Sequence, residues 1–210
     1  MLVQNILKLI CKNKKNIKKI SEILKSKIPE HVDIKDVEIW FQDEARFGQR
    51  GTLSRIWALK GTRPRVVRQQ QSTYAYLFGA VCPKQDKAVG LVLPNANTDA
   101  MQLHINEISA EVPPGRHALV VCDMASWHTT DKLIMPNNMS LLPLPAYSPE
   151  LNPAEQVWEV LRKDSLSNRC FENYEELVDA CCSAWNKFID QAGAVSALCF
   201  REWTTLCNSS

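Results

Sequence analysis

The stretch Leu119-Val120-Val121-Cys122-Asp123 decides how the rest of this chain can be arranged. Its apolar, β-branched residues predict a short buried strand, and Asp123 stands at the carboxyl end of that strand. A second short strand is predicted at residues 140–144, and the proline-rich residues 145–153 then lead into a helix near Glu155. A strand, a linking segment and a loop fit between Asp123 and Glu155, so these two acids can meet in space.

A third acid, Asp43, follows another apolar run at residues 37–41. Side chains alternate between the two faces of a strand, so Asp43 falls on the face of Ile39 and Phe41. Glu44 falls on the opposite face. This alternation favours Asp43 as the acid that joins the other two. The alternative is that Glu44 does so and that Asp43 is a turn acid at the strand end.

Glu155 also has a structural interpretation. The sequence Asn152-Pro153-Ala154-Glu155 has the form of a helix capping box with proline at the first helical position. Capping and metal ligation can coexist at Glu155. Glu159 lies one turn further on the same helix face and is the reserve candidate.

Length and composition indicate a globular protein. The 210 residues suffice for one domain with a sizeable core, and 45% hydrophobic with 23% charged residues exclude a disordered chain. No apolar run approaches the roughly 20 residues of a membrane span, and the Lys-rich N-terminus lacks the apolar core of a secretion signal. Eight cysteines without a C-x-x-C pair do not fit a zinc or disulfide framework. We expect a cytoplasmic protein with reduced thiols and no membrane partner.

The net charge of +2 conceals an uneven distribution. Residues 1–36 carry +5 and residues 45–68 carry +7, so the remainder carries −10. A cationic loop beside an acidic body is typical of a protein that binds a polyanion and holds metal ions among carboxylates. The planar arginine side chain matches phosphate geometry, which favours DNA binding over a plain solvated surface. The predicted DNA-binding residues of this loop are Arg46, Arg50, Arg55, Lys60, Arg63, Arg65 and Arg68.

The chain divides into a basic helical segment, residues 1–36, and one main domain, residues 37–210. Apolar positions at helical spacing in residues 2–28 predict one or two amphipathic helices that end before Pro29. The main domain begins with extended segments and then alternates with helices. Strands are predicted at 37–41, 55–59, 72–81 and 88–93, with a short extended piece at 65–67. Four helices are predicted: the first begins at Asn97 or Thr98 and runs to about Glu111, the second follows Pro153, and the others span 174–189 and 192–206.

This order of elements predicts a mixed α/β fold of the ribonuclease H-like type, a central mixed sheet flanked by helices. In such sheets functional sites collect at the carboxyl ends of strands, where Asp43 and Asp123 are expected. Trp40, Trp158 and Trp185 are expected in the core. Trp57 has arginine neighbours and is expected in a loop that clamps DNA or a partner subunit.

Four segments in this order resemble the catalytic domain of mariner-like DDE transposases, including the bacterial insertion-sequence relatives of mariner. Each is short, but their joint occurrence in one order makes the resemblance specific, and it covers about residues 37–205. The segments are Gln42-Asp43-Glu44-Ala45-Arg46-Phe47, Trp57-Ala58-Leu59-Lys60-Gly61-Thr62-Arg63-Pro64, Cys122-Asp123-Met124-Ala125-Ser126-Trp127-His128, and Tyr147-Ser148-Pro149-Glu150-Leu151-Asn152-Pro153-Ala154-Glu155.

The resemblance implies a DNA transposase that cuts and transfers DNA strands with two Mg²⁺ ions, for which Mn²⁺ substitutes. Asp43 would bridge both ions, and Asp123 and Glu155 would each hold one. The nucleophile would be water in cleavage and a DNA 3′-hydroxyl in strand transfer, with insertion at TA dinucleotides. The implied partners are DNA, as element ends and target, and a second copy in a homodimer, in the bacterial cytoplasm with the nucleoid.

Two departures from the family pattern bear on function. Met124 follows the second acid where the family commonly has asparagine, and residues 1–36 are too short for the family's N-terminal helix-turn-helix domains. A separate helix-turn-helix polypeptide is therefore a further expected partner. The alternative is a non-catalytic transposase remnant that binds DNA or a full-length transposase as a regulator. For His128 and Glu159 we expect supporting roles beside the site, although His128 is also explained by DNA contact or as a structural histidine.

Overall fold

In the computed structural model, the described residues are 26–49, 57–62, 65, 69, 71–144 and 152–201. They form five strands and four α-helices. The strands are β1 (Val37–Gly48), β2 (Tyr74–Cys82), β3 (Lys87–Leu93), β4 (His117–Cys122) and β5 (Met139–Pro143). The helices are α1 (Thr98–Glu111), α2 (Ala154–Leu161), α3 (Tyr174–Ile189) and α4 (Ala194–Cys199), with a 3-10 turn at Ile34–Asp36 and a π-helical turn at Arg162–Leu166.

The strands form one mixed sheet in the order β3-β2-β1-β4-β5. β1, β2 and β3 pair antiparallel, as consecutive hairpin strands do. β4 pairs parallel to β1, and β5 pairs parallel to β4. The chain crosses from β3, at one edge of the sheet, to β4 beside β1 through α1, a long connection of the kind that lets β4 run parallel to β1. The predicted mixed sheet flanked by helices is therefore confirmed.

Helices cover both faces of the sheet, because the strands are apolar on both faces. One core lies between α1 and the sheet and includes Trp40, Phe78, Met101 and Val120. The other lies between the sheet and α2, α3 and α4, and it includes Phe41, Val121 and the two tryptophans of those helices, Trp158 and Trp185. The prediction of three core tryptophans is confirmed, since Trp40, Trp158 and Trp185 are all buried.

The helix limits follow local capping chemistry. Asn97 precedes α1 and its side chain accepts a hydrogen bond from Ala100 N at 2.9 Å. Asn173 does the same for α3, accepting from Glu176 N at 2.8 Å. These contacts satisfy backbone donors that the first helical turn leaves unpaired.

Within the described ranges, no helix combines the length and the apolar character needed to cross a bilayer.

The structure corrects two of the predicted strands. β1 continues to Gly48, so Asp43 lies inside the strand and not at its end. The polar second half of β1 stays extended because it pairs with β2 from Phe41 to Gly48. The strand predicted at 55–59 is wrong for its described part, since residues 57–59 have no regular structure and Trp57 is fully exposed. Residues 55, 56, 66 and 67, and the N-terminal helices predicted before residue 26, lie outside the described residues.

Candidate active site

Two of the three predicted acids occupy matching positions on neighbouring parallel strands. β1 and β4 are aligned with Phe41 opposite Val121. Continuing this register by two residues brings Asp43 opposite Asp123, the first residue after β4. In a parallel pair, aligned residues point to the same face of the sheet. The pairing itself ends at Phe41 and Val121: Asp43 points to the face that carries α2, where it contacts Trp158, whereas the Asp123 side chain, beyond the end of β4, contacts His128.

Asp43 is in contact with the buried side chain of Trp158 on α2. The indole Nε1 of Trp158 donates a hydrogen bond to Asp43 Oδ2 at 2.7 Å. Burial first, and then the nearby negative charges of Glu155 and Glu44, raise the pKa of Asp43 to about 7, against the opposing effect of the Trp158 hydrogen bond. A carboxylate with this environment favours a cation beside it, because a cation stabilises the charged form that burial disfavours.

The Trp158 ring reaches Asp43 because the sheet has no side chain in its path. Asp43 pairs with Gly79 of β2, and Gly79 pairs with Gly90 of β3, so two glycines continue the row across the sheet. A Cβ at Gly79 would lie 2.5 Å from Trp158 Cη2 and 2.8 Å from Trp185 Cη2. The two indoles pack side by side over this row, with ring centroids 6.0 Å apart.

The Asp123 side chain is bonded to a buried histidine, His128. His128 Nδ1 lies 2.7 Å from Asp123 Oδ1, and its Nε2 lies 2.7 Å from Glu44 Oε1. Ala125 N also donates to Asp123 Oδ1 at 2.9 Å. The hydrogen bond from His128 lowers the pKa of Asp123. Asp123 therefore stays ionised while its side chain remains 60% exposed to a ligand.

His128 itself is a buried cation. Burial alone would lower its pKa, but the contacts with Asp123 and Glu44 outweigh that effect and raise the pKa to about 9. Glu44 Oε1 also accepts hydrogen bonds from Gln42 Nε2 at 3.0 Å and from Trp127 Nε1 at 3.3 Å. These bonds direct Glu44 toward the α1 face. Glu44 is thus the counter-ion of His128, and the sequence alternative in which Glu44 replaces Asp43 loses support.

Glu155 lies in the first turn of α2, is exposed, and is near enough to raise the pKa of Asp43. Asn152 fixes the start of this helix, since its Nδ2 donates to Gln42 O at 2.8 Å and its Oδ1 accepts from Ala154 N at 3.2 Å. Among the described residues no bond returns from the Glu155 side chain to Asn152 N, so the reciprocal half of the capping box is not formed. Glu159 is exposed one turn further along.

These residues supply carboxylate oxygens, the ligands that Mg²⁺ and Mn²⁺ prefer. The donor chemistry therefore fits a divalent ion. In the part of the chain that the structure describes, no three His, Cys, Asp or Glu residues are close enough to form a complete metal site. The structure brings Glu155 near Asp43, and it places Asp123 directly after β4 with its side chain bonded to His128.

The described part of the cationic loop is open to solvent. Arg46, Lys60 and Arg65 are exposed, and Arg46 lies 4.6 Å above the centre of the Tyr74 ring. Trp57 and Leu59 are also exposed. The other four cations predicted to bind DNA lie outside the described residues, and they are Arg50, Arg55, Arg63 and Arg68.

Three contributors to the site were missed from the sequence. Trp158 was expected only as a core residue, Glu44 only as a possible replacement for Asp43, and Asn152 only as a cap. Trp158 stands three residues after Glu155, and a buried indole N–H usually has a partner, so this spacing was an available signal. The bond from Asn152 to Gln42 O joins residues 110 positions apart and has no local signal.

Comparison with known proteins identifies the family. The model of the DDE superfamily endonuclease family matches residues 38–178. A protein of Sinorhizobium fredii (strain NBRC 101917 / NGR234), described as "Uncharacterized protein y4pE/y4sA", is 50% identical over 130 residues, which are 62% of this chain and 96% of that protein.

Two similar solved structures are complexes of Mos1. The Mos1 mariner paired end complex with Mn has a TM-score of 0.59 and 17% identity over 87% of this chain. The Mos1 transposase paired-end complex with left transposon end has a TM-score of 0.61 and 14% identity over 93% of this chain. Each match covers 56% of the Mos1 chain, so this chain spans little more than half of that length. The likeness confirms the predicted ribonuclease H-like fold, and with the family match it shows that the chain belongs to the DDE superfamily endonucleases.

Proposed function

We propose that this chain is the catalytic domain of a DNA transposase, with Asp43, Asp123 and Glu155 as its catalytic carboxylates. The proposed reaction is metal-dependent cleavage of DNA strands at the ends of an insertion element, followed by their transfer to a target. The observation that supports the proposal is the proximity of Glu155, in the first turn of α2, to Asp43 of β1, with Asp123 directly after β4, the parallel neighbour of β1.

The cofactor in this proposal is a pair of Mg²⁺ ions, for which Mn²⁺ substitutes. When bound, such a pair of ions would supply activation of the attacking oxygen and stabilisation of the leaving oxygen in a displacement at phosphorus. Asp43 is assigned to both ions, and Asp123 and Glu155 to one each. His128 keeps Asp123 ionised and leaves it exposed, and the crowding of Asp43 and Glu155 favours binding of a cation between them.

The partner in this proposal is DNA, as element ends and as a TA-containing target. The loop cations are assigned to its phosphates, which matches the exposure of Arg46, Lys60 and Arg65. The exposed Trp57 and Leu59 add apolar area for contact with DNA or with a second copy in a homodimer. A separate helix-turn-helix polypeptide would supply recognition of the element ends. The bacterial cytoplasm with its nucleoid is the proposed location.

A plasmid nicking assay tests this function. The substrate is a supercoiled plasmid that carries the gene with its flanking genomic DNA, incubated with Mg²⁺, Mn²⁺ or Ca²⁺. We expect nicking with Mg²⁺ and Mn²⁺, little with Ca²⁺ because its looser coordination positions oxygens poorly, and none for Asp123→Asn. Asp131→Asn, at an exposed acid of the segment between β4 and β5, is the matched control and should nick as the wild type does.

Two results would contradict the proposal. Nicking by Asp123→Asn at the wild-type rate would remove Asp123 from the chemistry. Absence of metal-dependent nicking by the wild type, together with intact DNA binding, would support the alternative of a non-catalytic regulator.

A further inference from the structure

We propose that Trp158 is a positioning residue for the catalytic site, which uses one indole N–H to orient the Asp43 carboxylate and to hold α2 at the correct distance from β1. This inference rests on the function proposed above. Its basis is the 2.7 Å hydrogen bond from Trp158 Nε1 to Asp43 Oδ2, across 115 residues of sequence. Trp158 is otherwise surrounded by apolar neighbours and is 1% exposed.

The indole is rigidly placed. Its ring packs over Gly79, where any Cβ would clash, and against Trp185 at a centroid distance of 6.0 Å. Gly79 is also the β2 partner of Asp43. Gly79 therefore leaves the space that the Trp158 ring fills, and its partner Asp43 on β1 carries the carboxylate that the ring contacts. A donor fixed in this way restricts rotation of the carboxylate more than a flexible side chain would.

An indole suits this position because it donates without carrying charge. A Lys or Arg donor would neutralise Asp43 and repel a metal ion. The Trp158 N–H binds one oxygen of the carboxylate, Oδ2, and leaves its negative charge for an incoming ion. Hydrogen bonds to metal-ligating carboxylates from such outer groups orient the ligand and commonly contribute 10–100-fold to metal affinity.

The contact also connects two of the catalytic acids. Trp158 follows Glu155 by three residues, so the two side chains lie on neighbouring positions of one helical surface. Holding Trp158 against Asp43 thereby fixes the rotation of α2 and the position of Glu155. The bond from Asn152 Nδ2 to Gln42 O fixes the start of the same helix against the neighbouring residue of β1.

The test compares two tryptophan-to-phenylalanine variants. Trp158→Phe removes the N–H and keeps an aromatic ring. Trp185→Phe makes the same change in the adjoining ring, which does not donate to Asp43 in the described part of the chain. The affinity for Mn²⁺ alone, with no DNA, is measured from the free-Mn²⁺ EPR signal, and thermal melting verifies folding. We expect roughly 10–100-fold weaker Mn²⁺ binding for Trp158→Phe and no change for Trp185→Phe.

A glycine pair provides the second comparison, which remains valid if Trp158→Phe does not fold. The atoms nearest to a Cβ at Gly79 belong to Trp158 and Trp185, whereas the three nearest to a Cβ at Gly90 all belong to Trp185. Gly79→Ala should therefore weaken Mn²⁺ binding, and Gly90→Ala should leave it unchanged.

The outcomes separate this inference from the function on which it rests. Wild-type affinity in Trp158→Phe, or an equal loss in both Phe variants, would overturn the positioning role while leaving the metal site intact. Absence of Mn²⁺ binding by the wild type would overturn the proposed function, and this inference with it.

Discussion

His128 Nε2 lies 2.7 Å from Glu44 Oε1, and both side chains are shielded from solvent. The second nitrogen of the same ring holds Asp123 at 2.7 Å. Glu44 belongs to the face of the sheet opposite Asp43, so His128 links the buried layer under α1 to an exposed acid at the end of β4. The consecutive acids Asp43 and Glu44 thus have different partners, Trp158 and His128, because alternation along β1 places them on different faces of the sheet.

Loss of His128 should destabilise the fold as well as the site. His128→Asn leaves Glu44 as a buried charge without its cation, which typically costs about 3–5 kcal/mol. The second change Glu44→Gln removes that charge and should recover part of the loss. Urea unfolding of the two single variants and the double variant measures this coupling. Strictly additive effects would show that the two residues do not act as a pair.

Asp43 makes the metal-free protein less stable as pH rises from about 4 to about 7. Its folded pKa of about 7 lies above the ordinary value of 3.8, so its stabilising contribution is fully present below pH 3.8. That contribution is lost as pH rises to about 7. Asp43→Asn cannot ionise and should gain up to about 4 kcal/mol relative to the wild type above pH 7. The measurement is the difference between the two unfolding free energies across pH 4–8 in EDTA.

The same variant should respond weakly to metal. Mg²⁺ or Mn²⁺ stabilises the folded wild type by about 1.4 kcal/mol at roughly ten times the Kd of one site, and Asp43→Asn should show less. A pH-independent difference, or a full metal response in the variant, would contradict the environment assigned to Asp43.

His104 should lower the stability of the folded protein as pH falls, the opposite of the effect of Asp43. It is fully buried, its Nδ1 has no partner among the described residues, and its Nε2 makes only a 3.5 Å contact with Val89 O. Burial lowers its pKa to about 4, the Val89 contact and Glu44 oppose that effect, and the His128 cation adds to it. The unfolded chain takes up this proton below about pH 6.5, so stability is lost as pH falls toward 4.

The variant His104→Leu should therefore lack an acid-dependent loss of about 3 kcal/mol between pH 6.5 and 4. Unfolding of both proteins over this range checks the difference. Parallel curves for the variant and the wild type would show that His104 titrates normally in the folded state.

DNA binding should depend on salt through the cationic loop. If about five of its seven cations contact phosphates, the plot of log K against log salt should have a slope of roughly −4.5 from this loop. Replacing Arg50, Arg55, Arg63 and Arg65 with alanine should flatten the slope by roughly three to four units. Lys84→Ala, in the turn at the far end of β2, is the control. An unchanged slope in the fourfold variant would put the DNA path elsewhere.

The sequence predicted those features that depend on local pattern. The limits of α3 at Tyr174 and Ile189 were correct, because helical periodicity is a local signal. Alternation along β1 assigned Asp43 and Glu44 to their faces, which agrees with their contacts to Trp158 and His128.

Features that depend on distant partners were not predicted. The second half of β1 is polar, and only pairing with β2 keeps it extended. The bond of Trp158 to Asp43 needs the space left by Gly79 of β2. The sequence of α2 does not indicate that Trp158 packs over this glycine. The link from His128 to Glu44 joins residues 84 positions apart and required the sheet register.

The most direct test of the metal-dependent site is anomalous diffraction from crystals of the wild type soaked in Mn²⁺. We expect two Mn²⁺ peaks roughly 3.5–4 Å apart, with Asp43 between them and with Asp123 and Glu155 each on one ion. A soak of Asp43→Asn should lose at least one peak. Mn²⁺ bound elsewhere, or no ordered Mn²⁺ among these three carboxylates, would contradict the proposed site.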